Sequence, residues 1–251
     1  MDLGLKGKSA VVIGASRGIG REIAHRFAEE GAQVGFCARG EEALRDAAAT
    51  LRRTGARVHA ESCDVGQHEA LRGFLESARK ALGGVDVLVN NASGFGFSDD
   101  EAGWQTSINV DLMAAVRATQ IVTPWMAAAG GGVIIHIASI SGLEAGSPPA
   151  YAAVKAALIS HSKTLAVSLA AKKIRVNVVA PGSIEFPGGG WDRMRQNDRP
   201  FYDSVLARIP WGRMGTVDEV ADAVVFLASS RASWITGACL TVDGGQHKGN
   251  L

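Results

Sequence analysis

The chain has 251 residues, of which 47% are hydrophobic and 20% charged, so it carries enough apolar surface to bury a core and is not a disordered protein. Glycine is abundant, with 31 residues against seven prolines and no Gly-X-Y period, which excludes collagen and assigns the glycines to tight turns and close backbone approaches. Lys plus Arg is 26 and Asp plus Glu is 25, so no global field recruits nucleic acid or an anionic membrane.

The periodicity predicts strands at Ser9–Ile13, Gln33–Ala38, Arg57–Glu61, Val85–Val89, Val133–Ala138, Ile174–Val179 and Cys239–Val242. Between them it predicts helices at Ile19–Glu30, Glu41–Arg53, Glu69–Leu82, Gln105–Ala128, Ala150–Ala171 and Val217–Ala228. Runs such as VIIHIA and VNVVA are apolar on both faces, as expected of a parallel sheet covered by helices on each side. The expected fold is therefore α/β: a single doubly wound, Rossmann-type domain over residues 1–251 with seven parallel strands. One stretch breaks the rhythm. Gly182–Pro210 is a long insertion after the sixth strand, and residues 183–211 are expected to form a substrate lid, with Gly188-Gly189-Gly190 as hinge or plain flexible loop.

No cleavable signal pattern stands in the first eight residues, and no apolar run reaches the roughly 18 residues needed to span a bilayer, so a cytoplasmic location is expected. Cys37, Cys63 and Cys239 are odd in number and scattered. They predict buried small apolar residues in a reducing compartment, with neither a disulfide framework nor a metal site.

Gly14-Ala-Ser-Arg-Gly18-Ile-Gly20 follows the first strand directly and opens the first helix. A strand–glycine turn–helix gathers backbone N–H groups and a helix N-terminus around one point, which suits a pyrophosphate. The candidate phosphate-binding residues are thus Gly14, Ser16, Arg17, Gly18, Ile19 and Gly20. Tyr151 and Lys155 lie four apart in a helical pattern, so their side chains share one face. A tyrosine with an ordinary pKa of about 10 is a poor base at neutral pH, and a neighbouring ammonium corrects this by stabilising the phenolate. The chain has only two tyrosines, which makes a chance placement at this spacing improbable.

GASRGIG after the first strand, Asn90-Asn91-Ala92 after the fourth and Tyr151-x-x-x-Lys155 together resemble the short-chain dehydrogenase/reductase family. The resemblance runs from Leu5 to Gly245 and includes Asp64-Val65, Pro181-Gly182 and Val242-Asp243-Gly244-Gly245. It points to a 3-oxoacyl-carrier-protein-reductase-like member. The resemblance implies hydride transfer between a nicotinamide and a ketone or secondary alcohol, with Tyr151 as general acid/base and Lys155 holding the ribose and the proton path. It further implies that Ser139, rather than Ser141, orients the carbonyl, although Ser139 lies one residue closer to Tyr151 than the family pattern. Asn109 matches the family's helical asparagine, implied to hold a water in the relay to Lys155. By the same resemblance Asp64 and Val65 border the adenine, Asn91 and Ala92 the ribose and Ile184 the nicotinamide side, with Pro181 and Gly182 as further cofactor-binding residues. The family often has a threonine where this chain has Phe186.

A carboxylate at the end of the second strand would favour NAD(H). This chain reads Ala38-Arg39 there, with Arg17 in the glycine turn, so the charges favour NADP(H). Five of the chain's aromatics fall within Phe186–Trp211, and Phe95 and Phe97 follow the Asn91-Ala92 turn. Phe95, Phe97, Phe186 and Trp191 are therefore the expected walls of an apolar substrate pocket. Arg193, Arg195, Arg199 and Arg208 are matched by Glu185, Asp192, Asp198 and Asp203, so the lid offers no basic rim for an acidic carrier protein. The competing readings are an NAD-dependent alcohol or hydroxysteroid dehydrogenase and a catalytically silent dinucleotide-binding regulator. Alanine-rich helix faces at Gln105–Ala128 and Ala150–Ala171, together with the family resemblance, lead to an expected homotetramer or homodimer.

Overall fold

The computed structural model, which describes residues 2–249, has strands β1 (Ser9–Ile13), β2 (Gln33–Ala38), β3 (Val58–Ser62), β4 (Val87–Asn90), β5 (Gly132–Ile137), β6 (Ile174–Pro181) and β7 (Cys239–Val242). They form one parallel sheet in the order β3-β2-β1-β4-β5-β6-β7. The strands begin and end within a residue or two of the apolar runs, because ladder pairing continues past the last apolar side chain. Val11 of β1 stands opposite Gly35 of β2 on one side and Leu88 of β4 on the other. The chain thus winds outward from β1 in both directions and leaves a crevice beyond the strand ends at this switch point.

The α-helices among the described residues are α1 (Gly18–Glu29), α2 (Glu41–Arg52), α3 (His68–Leu82), α4 (Glu101–Thr106), α5 (Ala114–Ala128), α6 (Pro149–Leu169), α7 (Gly190–Asn197), α8 (Arg199–Leu206) and α9 (Val217–Ala228). Alternation along β1 divides the core. Ala10 and Val12 pack with Ile23 of α1, Leu44 of α2 and Val220 of α9, whereas Val11 and Ile13 pack with Phe74 of α3, Val122 of α5 and Leu169 of α6. This two-sided burial is what apolar parallel strands require.

Two departures from the sequence reading bear on function. The expected helix Gln105–Ala128 starts earlier, at Glu101, where the Asp100 side chain accepts from the Gly103 N–H; its middle, Ser107–Met113, is π-helical. The expected irregular insertion also folds. The Gly188 N–H donates to Asp192, and Asp198 caps α8 by accepting from the Phe201 N–H. Helices α7 and α8 close on a small core of Tyr202, Val205, Ile209 and Met214. Trp191 joins that core, stacked on Phe201 at 6.2 Å and edge-on to Tyr202 at 6.5 Å, so its expected place as a substrate wall gives way to internal packing. Cys37 and Cys63 are buried as expected; Cys239, on the outermost strand, is exposed.

Candidate active site

Helix α6 begins at Pro149, and Tyr151 in its first turn and Lys155 in the next stand one above the other, with Lys155 Nζ 5.3 Å from the tyrosine ring centre. Lys155 is buried. Its ammonium donates to the Ile137 carbonyl at the end of β5 (3.1 Å) and pairs with Asp111 Oδ1 (3.1 Å). Burial opposes the charged amine, but the negative charges of Tyr151 and Asp111 and the hydrogen bond to Asp111 outweigh it, and the lysine pKa lies above its ordinary value. Asp111 is equally buried, in the π-helical turn. Its Oδ1 also accepts from the Ser93 hydroxyl (2.5 Å) and its Oδ2 from the Gly94 N–H (2.8 Å).

Ser139 leaves β5 in an extended conformation, and its Oγ accepts from the Ser141 N–H at 3.1 Å, capping the short turn Ile140–Gly142. The Ser139 hydroxyl proton is left to donate elsewhere. Gly142 presses that turn onto α6, where a Cβ would stand 2.7 Å from the Ala156 nitrogen and the Lys155 carbonyl carbon. Phe97 meets the Tyr151 ring edge-on at 5.2 Å and Phe95 stacks on it at 6.4 Å. Both phenylalanines are more than half exposed, and Phe95 holds a φ of 51°, a conformation unusual for a side chain of this size.

The direct partners of Lys155 are Ile137 and Asp111, and the Asn109 side chain is engaged elsewhere. Its Oδ1 accepts from Arg117, which also donates to the Gly66 carbonyl, so Asn109 braces the turn that follows β3. The helical residue at the lysine is Asp111, two positions on. The extra residue in the π-helical turn changes which side chain faces inward. Its signal was present in the sequence: a carboxylate between Val110 and Leu112 in an otherwise apolar helix is costly to bury unless a cation or donors await it.

Below Lys155, His136 of β5 is fully buried, with Nδ1 3.2 Å from the Asn90 amide nitrogen. Burial first, then the charges of His161 and Lys155, push its pKa down to about 3. The folded protein therefore binds fewer protons than the unfolded chain between about pH 3 and an ordinary histidine value near 6.5. Stability is expected to fall as the pH drops through that window, by up to about 1.4 kcal/mol per pH unit from this group. Urea unfolding at pH 7 and pH 5 measures the loss, which His136→Gln should reduce.

The glycine turn sits at the switch point. Gly14 and Gly18 have φ of 81° and 56°, and the Asn91 amide donates to the Gly14 carbonyl at 2.6 Å. A Cβ on Gly20 would overlap the Asn91 amide and the Gly14 carbonyl, so this glycine lets α1 close on the turn. The first turn of α1 has no acidic residue, and no side chain caps it, which leaves its N–H groups to an anion. The cradle thus fits a dinucleotide pyrophosphate. Ser16 and Ile19 lie in it, half-buried, and Ala92 packs against Gly14. Asp64 accepts from the Gly66 N–H beside buried Val65. Pro181 ends β6, the Gly182 N–H donates to Val242, and Ile184 is buried and bridged to Gly215. Arg17 and Arg39 are exposed at the strand ends, with no carboxylate at the end of β2. The Phe186 ring lies on Gly18 and Gly189, over the glycine turn.

Residues 14–247 match the family described as enoyl-(acyl carrier protein) reductase. The 3-oxoacyl-(acyl-carrier-protein) reductase of Salmonella typhimurium is 38% identical over 252 residues, covering 98% of this chain and 99% of that protein. L-sorbose reductase from Gluconobacter frateurii, solved with NADPH and L-sorbose, superposes with a TM-score of 0.89 at 37% identity, over 99% of this chain and 100% of that one. A 7α-hydroxysteroid dehydrogenase solved with NADH and 7-oxo glycochenodeoxycholic acid superposes with a TM-score of 0.90 at 34% identity, over 97% of this chain and 96% of that one.

Proposed function

The chain belongs to the short-chain dehydrogenase/reductase family, oxidoreductases acting on CH–OH and C=O groups, and on that premise we propose that it is an NADPH-dependent reductase of apolar ketones. The observation that carries this reading is the stacking of Tyr151 over a buried, charged Lys155 beside Ser139 at the strand ends. The nicotinamide, when bound, supplies the hydride. Ser139 donates a hydrogen bond to the carbonyl oxygen and polarises it. Tyr151 gives its phenolic proton to the same oxygen, and Lys155 steadies the phenolate that remains. In the oxidative direction the phenolate takes the alcohol proton instead. Asp64, Val65, Asn91, Ala92 and Ile184 line the cofactor's path in this reading.

Arg17 and Arg39, both exposed, with no carboxylate at the last position of β2, support a 2′-phosphate on the cofactor. The exposed rings of Phe95 and Phe97 around Tyr151 support an apolar substrate. Within the proposed lid, Arg195 pairs with Glu185 and Asp192 and Arg199 with Asp203, each at 2.9 Å, so these charges are engaged locally. That favours free ketones or thioesters over substrates on an acidic carrier. Among the described residues no helix is long and apolar enough to cross a membrane, which accords with a cytoplasmic enzyme. Val167 on α6 (74% exposed) and Trp234 before β7 (98%) support assembly into a homodimer or homotetramer. Initial rates with NADPH and NADH against ketones, quinones, 3-oxoacyl thioesters and ketosteroids test the proposal. NADPH should be favoured by about tenfold or more in kcat/KM, a difference of roughly 1.4 kcal/mol; faster turnover with NADH overturns the cofactor assignment.

A further inference from the structure

We propose that Asp111 is a positioning residue for proton transfer: its buried carboxylate holds Lys155 in place, offsets the lysine charge in front of Tyr151, and so sets the pH at which Tyr151 exchanges its proton. The carboxylate is built into the site. It reaches Lys155 Nζ at 3.1 Å, and its remaining acceptor positions take the Ser93 hydroxyl and the Gly94 N–H. The widened π-helical turn at Ser107–Met113 brings it inward. Ser93 and Gly94 lead directly into Phe95 and Phe97, which pack on the Tyr151 ring. One side chain therefore anchors both the lysine beneath the tyrosine and the loop that carries the aromatic wall around it.

The charge of this residue matters as much as its shape. A neutral amide at this position would accept the same hydrogen bond from Lys155 and leave the full positive charge acting on the phenolate. The carboxylate cancels most of that field in a site with little water. The titratable groups facing Lys155 are Tyr151 on its own helix, Asp111 from the π-helical turn and His136 from β5. His136 stays neutral at working pH, and its neighbour His161, whose pKa burial also lowers, adds no positive charge. Asp111 is thus the negative partner of the pair.

The inference rests on Tyr151 being the proton donor, and the test keeps the two apart. The chain has only Tyr151 and Tyr202, so ring 13Cζ labelling of tyrosine gives two resonances in the full-length protein, which Tyr202→Phe assigns. The resonance of Tyr151 is followed against pH in the parent and in Asp111→Asn, without substrate or cofactor. Its midpoint should fall in the variant by about one pH unit or more. The pH at which kcat for ketone reduction turns down should fall with it, while KM for the ketone changes little. Superimposable titrations overturn the inference and leave the reductase reading intact; retained turnover in Tyr151→Phe does the converse. Should Asp111→Asn not fold, Ser93→Ala serves. Loss of that hydroxyl concentrates charge on the oxygen facing Lys155 and should move the midpoint upward, and an unmoved midpoint again overturns the proposal.

Discussion

Tyr151→Phe should lower kcat for carbonyl reduction by roughly 10³-fold, within the range that a general acid contributes. The substitution removes one O–H and little else. A phenyl ring keeps its stack on Phe95, its edge contact with Phe97 and its place over the Lys155 ammonium. The glycine turn belongs to β1 and α1, whereas Tyr151 belongs to α6, so the dissociation constant for NADPH, read from its fluorescence on binding, should hardly change. The split between lost turnover and retained affinity is the signature of a group that acts in the transition state. Turnover near the parent rate would remove Tyr151 from the reaction.

Gly142→Ala is expected to cost about 10²-fold in kcat/KM without touching any reacting group. The turn Ile140–Gly142 rests directly on α6, and the added methyl would meet main-chain atoms of Lys155 and Ala156. A helix backbone cannot yield as a side-chain tip does. The turn must lift, and Ser139, which is hydrogen-bonded to it through Ser141, lifts with it. A displacement on the order of 1 Å is enough to spoil alignment between the carbonyl and its proton donor. Dinucleotide affinity should survive, because the cradle lies on β1 and α1. Steady-state rates and a thermal melt measured together check this, since the same clash should lower the melting temperature. Parent-level kcat/KM in a folded variant would show that the turn has slack.

The strands, the glycine turn and the Tyr151–Lys155 pair were legible in the sequence because each depends on short-range pattern. Apolar runs of strand length mark a sheet buried on both faces, and residues four apart on a regular helix share a face wherever that helix lies. Asn109 and Asp111 fell outside that logic. Asn109 was expected from the resemblance alone, and which of the two side chains meets the lysine directly depends on a π-helical turn that local pattern does not announce. Helices α7 and α8 are hard to read from sequence because each is only eight residues long and shows little apolar periodicity. The Asp198-Arg199-Pro200 sequence was nonetheless a legible start signal, with a capping aspartate followed by a proline in the first turn. The displacement of Trp191 into the core of that unit was not legible, since it depends on how two short helices meet.

The bond from the Asn91 amide to the Gly14 carbonyl joins residues 77 positions apart. The phosphate cradle is therefore not a local product of the first βα unit, although every glycine in it has been synthesised by residue 20. During translation β1 waits without its inner neighbour until β4 has emerged, and the turn is not braced before then. A dinucleotide present while the chain is being made would find its binding loop only after about a third of the protein had left the ribosome, and would bias folding from that moment and not earlier.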